Sequence, residues 1–386
     1  MQRVEANLVG GGFVRVTCAG GLIDRVQNLG EPQPGAPFIS PGFIDLQING
    51  FAGLHFSDPD MTPGDMDRLL HALWATGTTT LLPTLISNTP EGLQAAFRKL
   101  EDFRKTHPRF ASSAPAYHLE GPYLSPGPSA GAHKAEYMRN PDWDEFSGIA
   151  TAAGHRIALV TLAPEWPGAE AFIRRAIKAG VRVALSHTDG SPGDVHRAAD
   201  AGASLNTHLG NGCPQLLDRH QAPFWAQLDD ERLAAGIICD GFHLSPEMVR
   251  IIARLKGPDR CILVSDAVFV AGLEPGSYDL AGKPIELLLS GQVVTADRRS
   301  MAGSTLDMAT AVGNYRKLTG CPLSEAVNAA TSVPAAYLKL PGLCRAIEPG
   351  QPANLVLFHF RHDRLSVEQT VLAGETVFTR ASPHHL

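Results

Sequence analysis

Apolar residues gather along this chain in short runs of strand length. Eight such runs fill the long middle: Phe43–Asn49, Thr79–Thr84, Ala116–Glu120, Ile157–Ala163, Val181–His187, Ala203–His208, Ala235–Asp240 and Cys261–Asp266. Most are continuously apolar rather than alternating, as strands covered on both faces of a parallel sheet are. Helices are predicted between several of them. Thr89-Pro90-Glu91, Ser191-Pro192 and Ser245-Pro246-Glu247 each set a capping side chain before a proline at the first helical position. Gly77, Gly180, Gly202 and Gly257 stand where helix ends want a left-handed residue. Eight strands with crossover helices in roughly 300 residues predict a (β/α)8 TIM-like barrel. An open doubly wound sheet would carry a GxGxxG turn after its first strand. Here Gln47-Ile48-Asn49-Gly50-Phe51 stands in that place, which favours the barrel.

The two ends read differently. VEANLV, FVRVTCA and LIDRVQNL near the start, and NLVLFHF, LSVEQTVL and ETVFTR near the finish, look like half-buried strands. Neither end has enough strands to close a core. The termini are therefore expected to pair into one small β-sandwich domain, residues 1–40 with 346–386, around a barrel of residues 41–345.

Composition narrows the function. The chain has 386 residues, 44% hydrophobic and 19% charged, with a net charge of −6. Mean hydropathy is −0.04, so a large core is within reach and disorder is not expected. No basic run supports a nucleic-acid or anionic-membrane role. No apolar stretch approaches the roughly 18 residues of a membrane span. The opening MQRVEANLVGGGFVRV lacks the order of a secretion signal, so the expected compartment is the cytoplasm. The six cysteines are scattered without a CxxC pair, against a disulfide framework or a thiolate zinc site. Any metal must be held by His and carboxylate.

Such residues end the apolar runs. Gln47 and Asn49 close the first, His118 and Glu120 the third, His187 the fifth and His208 the sixth; Asp240 and His243 follow the seventh, and Asp266 ends the eighth. Barrel enzymes place their chemistry at the C-terminal ends of strands. Buried imidazoles and carboxylates are costly without partners, and one divalent cation would supply a common partner. Glu120, His187 and His208 offer one carboxylate and two imidazoles, a three-ligand set that leaves a position open. Asp266 is the natural general base. His243 could polarise a substrate carbonyl. Helix capping at strand–helix turns is the plainer alternative for Asp240 and for Asp266.

The segments PGFIDLQINGFAG, GTTTLLPTLIS, HLEGPYL, LVTLAPE, SHTDG with NTHLGN, and IICDGFHL through LVSDAVFVAG occur in that order. With MAGSTLDM and PGQPANLVLF they make the chain, from about residue 41 onward, resemble the N-acetylglucosamine-6-phosphate deacetylases of the amidohydrolase superfamily. The resemblance implies a hydrolase of a linear amide bond that removes the acetyl group of N-acetylglucosamine 6-phosphate. It implies metal ligation by Glu120, His187 and His208, with Asp266 as base and then acid, and with His243 orienting or polarising the substrate. Ala132, His133, Asn211, Gly212, Arg219, His243, Met301, Ala302 and Gly303 match substrate-contacting positions. Many amidohydrolases carry His-x-His on strand one and bind two metals. Gln47-Ile48-Asn49 replaces that pair, so one divalent ion per subunit is expected: zinc, with iron or cobalt also suited to the donors. Gln47 is left either to hydrogen-bond near the site or to pack. A homodimer is also implied.

The chain departs from the family between Gly212 and Pro223, where Arg219 keeps its distance but not its neighbours, and at Ser125-Pro126-Gly127-Pro128-Ser129. Arg219, His220 and Lys134 are the candidates for holding a phosphate. Other N-acetylated amino sugars and N-acyl amino acids are the alternative substrates. A non-catalytic sugar-phosphate sensor is the rival of another class, and it predicts loss of a ligand or of Asp266, all of which are present.

Overall fold

The structure, a computed structural model, describes residues 2–280, 282–298 and 300–381. Met1 and residues 382–386 of the expected terminal domain lie outside the described residues. The eight predicted strands form one sheet in chain order: Phe43–Ile48, Thr78–Ile86, Tyr117–Glu120, Ile157–Leu162, Arg182–Leu185, Leu205–Asn206, Ala234–Ile237 and Cys261–Leu263. Every neighbouring pair is parallel. Between strands eight and one, Asp266 N donates to Gln47 O at 2.9 Å, and Ile48 bridges Ala267 in parallel. The sheet thus curls into a barrel, and the ends of strands one and eight are brought together.

The predicted caps hold the outer helices. Thr89 Oγ1 accepts from Gly92 N before helix Pro90–Thr106. Ser191 and Asp194 form a reciprocal capping box at Pro192–Ala201, and Ser245 caps Pro246–Lys256. Leu93, Phe97, Leu100 and Phe103 sit at helical spacing and are buried on the face of Pro90–Thr106 that meets the barrel. Each buried side chain of this size contributes about 1.5–3 kcal/mol of transfer free energy.

The terminal strands make one seven-stranded sheet in the order Glu375–Thr379, Arg364–Leu372, Leu355–Arg361, Phe38–Pro41, Gln2–Leu8, Phe13–Ala19 and Leu22–Gly30. Phe38–Pro41 joins the two ends of the chain, running parallel to Gln2–Leu8 and antiparallel to Leu355–Arg361. Alternation decides the faces. Leu355 and Leu357 enter a core shared with Val14, Val16 and Ile39, while Val356 and Phe358 pack into the barrel.

A three-stranded antiparallel insertion, Gly276–Leu280, Lys283–Leu287 and Val293–Thr295, follows strand eight. Nothing in the apolar pattern announced it. Ile285, Leu287 and Val293 pack with Val268, Val270 and Ala302, which fastens the insertion to the end of strand eight. Among the described residues no helix is long and apolar enough to cross a membrane, and all six cysteines are free thiols.

Candidate metal centre and active site

Strands three, five and six bring Glu120, His187 and His208 together. Their ligand atoms lie within 4.8 Å of one another, and all three residues are buried. Glu120 Oε1 is 2.9 Å from His208 Nε2 and 3.4 Å from His187 Nε2. The opposite ring nitrogens are tied down. His187 Nδ1 lies 2.8 Å from Ser129 O, and His208 Nδ1 lies 3.3 Å from Ser186 Oγ. A donor hydrogen on Nδ1 leaves Nε2 with its lone pair facing the carboxylate. Backbone conformation aims these groups: His187, His208 and Asp266 adopt φ of 49°, 34° and 49°, left-handed values uncommon outside glycine. Such bends turn side chains from the strand ends into the mouth and cost energy that the fold must supply.

Burial alone would discourage charge on Glu120, but bonds from His187 and His208 outweigh it and hold the carboxyl well below its ordinary range. Burial likewise opposes protonation of His208, and the bond to Glu120 wins, raising it. The three groups therefore want one positive charge among them. A divalent cation fits that demand, because it satisfies the carboxylate and both nitrogen lone pairs without a proton on either ring.

Asp266 stands beside this centre. Its Oδ1 accepts from Gln47 Nε2 at 3.1 Å and from Asn49 Nδ2 at 2.9 Å. Burial, and then the charge of Glu120, push its carboxyl up to about 6. The strand-one amides thus orient Asp266, and hydrogen bonding is the outcome of the two readings of Gln47. His243 is close enough for its charge to act on Asp266. Asp240 does two jobs: it accepts from the Phe242 and His243 amides, and its Oδ2 lies 2.6 Å from His243 Nδ1.

The remaining predicted residues divide. His133 is buried with its ring edge on His187, centroids 4.5 Å apart, and its Nδ1 lies 3.0 Å from Ser87 Oγ. Burial, and then His187, push its imidazole down to about 3, so it stays neutral. The insertion reaches it: Lys283 Nζ donates to Ala132 O and His133 O, both at 2.7 Å. Gly212 touches the centre directly. At φ +60°, a Cβ there would stand 2.6 Å from Ser186 Oγ and 3.0 Å from His187 Nδ1. Asn211 Nδ2 is buried without a protein partner among the described residues. Gly303 lies against strand eight, where Ser304 N donates to Asp266 O at 2.9 Å; Ala302 is buried and Met301 half-buried beside it. Arg219 and His220 are exposed and, among the described residues, form no hydrogen bond or ion pair with this cluster. His118, two residues before Glu120 on the same strand, is not one of the triad; its Nε2 lies 2.8 Å from Thr161 Oγ1, and burial pushes it down to about 4.

Sequence reasoning missed Asp189 and Ser129. Asp189 accepts from Ser125 Oγ at 2.7 Å and from Ser129 N at 3.2 Å, which holds the loop whose carbonyl faces His187. Its only signal was its place two residues past His187.

Comparison with known proteins agrees with this architecture. The model of the amidohydrolase family matches residues 38–377. The N-acetylgalactosamine-6-phosphate deacetylase of Escherichia coli O157:H7 is 31% identical over 340 residues, 88% of each chain. The N-acetylglucosamine-6-phosphate deacetylase of Lysinibacillus sphaericus is 30% identical over 91% of this chain and 88% of its own. The solved structure of a mutant N-acetyl-D-glucosamine-6-phosphate deacetylase from Mycobacterium smegmatis, in complex with N-acetyl-D-glucosamine-6-phosphate, is 31% identical. It superposes with a TM-score of 0.87 over 98% of this chain and 99% of that one.

Proposed function

The chain belongs to the amidohydrolase family, and from that membership we propose that it is a metal-dependent N-acetylglucosamine-6-phosphate deacetylase, releasing acetate and glucosamine 6-phosphate. One observation carries the reading: Glu120, His187 and His208 converge beside a buried Asp266. Divalent-metal binding follows from the family and the donor set; we propose zinc, with iron or cobalt as substitutes. When bound, the cation supplies Lewis-acid polarisation of the amide carbonyl and acidifies water.

The protein's own groups do the rest. Asp266, with Oδ1 held by Gln47 and Asn49, takes a proton from the attacking water through its other oxygen. It then delivers that proton to the amide nitrogen as the C–N bond breaks. An acid near 6 can do both at neutral pH. His243, fixed through Nδ1 by Asp240, presents Nε2 to the carbonyl oxygen as negative charge develops. His133 shields His187 from water. Asn211 Nδ2 donates to a sugar or phosphate oxygen, Gly212 leaves room beside His187, and Ala132 with Met301, Ala302 and Gly303 lines the sugar's approach. Arg219 meets the phosphate from the rim. We further propose that the enzyme works in the cytoplasm as a homodimer, with barrel residues 41–345 and a small domain of residues 1–40 and 346–386.

The galactosamine epimer is a second reading, favoured by the 31% identity to a deacetylase of that sugar phosphate. A steady-state panel of both N-acetylhexosamine 6-phosphates, the unphosphorylated sugars and N-acyl amino acids, run on protein of known metal content, tests all of these. The expected result is kcat/KM at least tenfold higher for N-acetylglucosamine 6-phosphate than for any other member. Faster hydrolysis of an N-acyl amino acid would overturn the proposal.

A further inference from the structure

The insertion after strand eight is fastened on two sides. On one side the contact is apolar: Ile285, Leu287 and Val293 pack with Val268, two positions past Asp266. On the other it is polar. Lys283, at the start of the middle strand, donates through Nζ to Ala132 O and His133 O, both at 2.7 Å. Ala132 also packs against the apolar cluster, but among the described residues no other hydrogen bond or ion pair joins the insertion to the 125–133 loop. Burial, and then the charge of Lys134, lower the Lys283 ammonium from its ordinary range, while the charge of Glu136 acts the other way. No carboxylate among the described residues pairs with it. A half-buried ammonium loses part of its water, and two carbonyls aimed at one nitrogen compensate. The carbonyls belong to the loop that packs on the metal centre. Ser129 O faces His187 Nδ1 at 2.8 Å, the His133 ring stands edge-on to His187, and a Cβ on Gly131 would come within 3.2 Å of His187 Cε1. Residues 129–133 thus wall one side of that imidazole.

This wall has an anchor at each end. Asp189 holds it at the first residue, through Ser129 N. Lys283 holds it at the last two, from 150 residues along the chain. Pinned at one end only, five residues of loop can pivot away from the ring; pinned at both, they keep Ser129 O against Nδ1. We propose that Lys283 is a positioning residue for His187: the insertion braces the wall that aims this imidazole, and so sets how tightly the triad holds its ion. The inference rests on the metal-centre reading above and adds to it a residue from outside the barrel. Two effects of the ammonium oppose each other. Its charge reaches His133, beside His187, and repels a divalent cation. Its bonds hold the wall in place. Removing the nitrogen therefore tightens metal binding if charge governs and weakens it if position governs. Outer partners of metal-binding histidines are worth about 10–100-fold in affinity. Lys283 acts through the loop rather than on the ring, so a loss of about fivefold to tenfold is expected.

The test is competition of the purified full chain against a metallochromic chelator for zinc, with urea denaturation confirming that each variant folds. Lys283→Met should weaken zinc binding about fivefold to tenfold, and Lys283→Ala gives a second reading of the same loss. Lys283→Arg keeps the charge and offers a fork of donors to the two carbonyls, so it should stay within about threefold of wild type. Arg298→Met breaks the 2.8 Å ion pair to Glu286 inside the insertion without touching the loop, and should leave zinc affinity unchanged. Asp189→Ala and Lys283→Met release one stretch of chain, so their losses should overlap, with the double variant about threefold or more short of their product. Unchanged zinc affinity in folded Lys283→Met would overturn the inference, and tighter binding would overturn it in favour of charge. Equal losses in Lys283→Arg and Lys283→Met, or a comparable loss in Arg298→Met, would reduce Lys283 to a clasp that only stabilises the fold. Losses that multiply in the double variant would contradict the shared loop. None of these measurements uses a substrate, so failure of the deacetylase assay leaves them standing; a wild-type protein that binds no zinc sinks both readings.

Discussion

Replacing Asp189 should weaken metal binding although Asp189 is not a ligand. Its carboxylate accepts from Ser125 Oγ at 2.7 Å and Ser129 N at 3.2 Å, and Ser129 O faces His187 Nδ1 at 2.8 Å. The Asp189 amide is itself held by Glu165 Oε1 at 2.8 Å, so the carboxylate is a fixed post. Asp189→Ala removes two bonds to a charged acceptor and frees the 125–129 loop to drift from the imidazole. Loss of a group that orients a metal-binding histidine costs about 10–100-fold in affinity, equivalent to about 1.4–2.8 kcal/mol. Asp189 acts one residue further back, so the lower end is expected, near tenfold. Competition of the purified protein against a metallochromic chelator measures it directly. Asp189→Asn retains an acceptor oxygen and should recover part of the loss. An Asp189→Ala protein that binds metal as tightly as wild type, whatever its turnover, would refute the chain of contacts proposed here.

Two further outcomes are expected. Asp266→Asn should keep the metal, since Asp266 lies outside the triad, yet lose about 10²–10⁴ in kcat; metal analysis beside a rate assay checks both halves, and near-normal kcat would remove Asp266 from the mechanism. Asp45 is buried beneath the site, its Oδ1 accepting from Ser265 N at 3.1 Å and Gln47 N at 3.2 Å, and burial pushes its carboxyl up to about 7. Folding thus favours the protonated form, so between an ordinary value of ~3.9 and about 7 the folded state binds the extra proton and stability falls as pH rises. Asp45→Asn removes that dependence while keeping an acceptor oxygen. Its stability relative to wild type should therefore grow by about 4 kcal/mol from pH 4 to pH 8, read by urea denaturation at each pH; parallel curves would contradict the assignment.

The barrel was legible because strands buried on both faces are apolar without interruption, and because serine or threonine before proline marks a helix start with a physical cause. The triad was legible for a related reason: Glu120, His187 and His208 interrupt apolar runs where a lone polar group would be expensive. The bond from Gln47 to Asp266 lay hidden, since an amide on a strand can equally well pack, and the closure of strand eight against strand one decides between them. Asp189 and Ser129 were illegible because their role depends on which loop folds over His187. The insertion at 276–295 escaped notice because its strands are short and half-exposed, and so resemble the terminal ones. Arg219, matched by spacing alone, is exposed at the surface.

The short strand Phe38–Pro41 takes its antiparallel partner from Leu355–Arg361, and that arrangement governs how the molecule is made. During synthesis at about 5–20 residues per second, the amino-terminal hairpins wait roughly 15–60 seconds for the segment that completes their sheet. Throughout that interval Phe38–Pro41 is an open edge able to pair with another chain. A chain cut short before Leu355 would carry a barrel with that edge still bare.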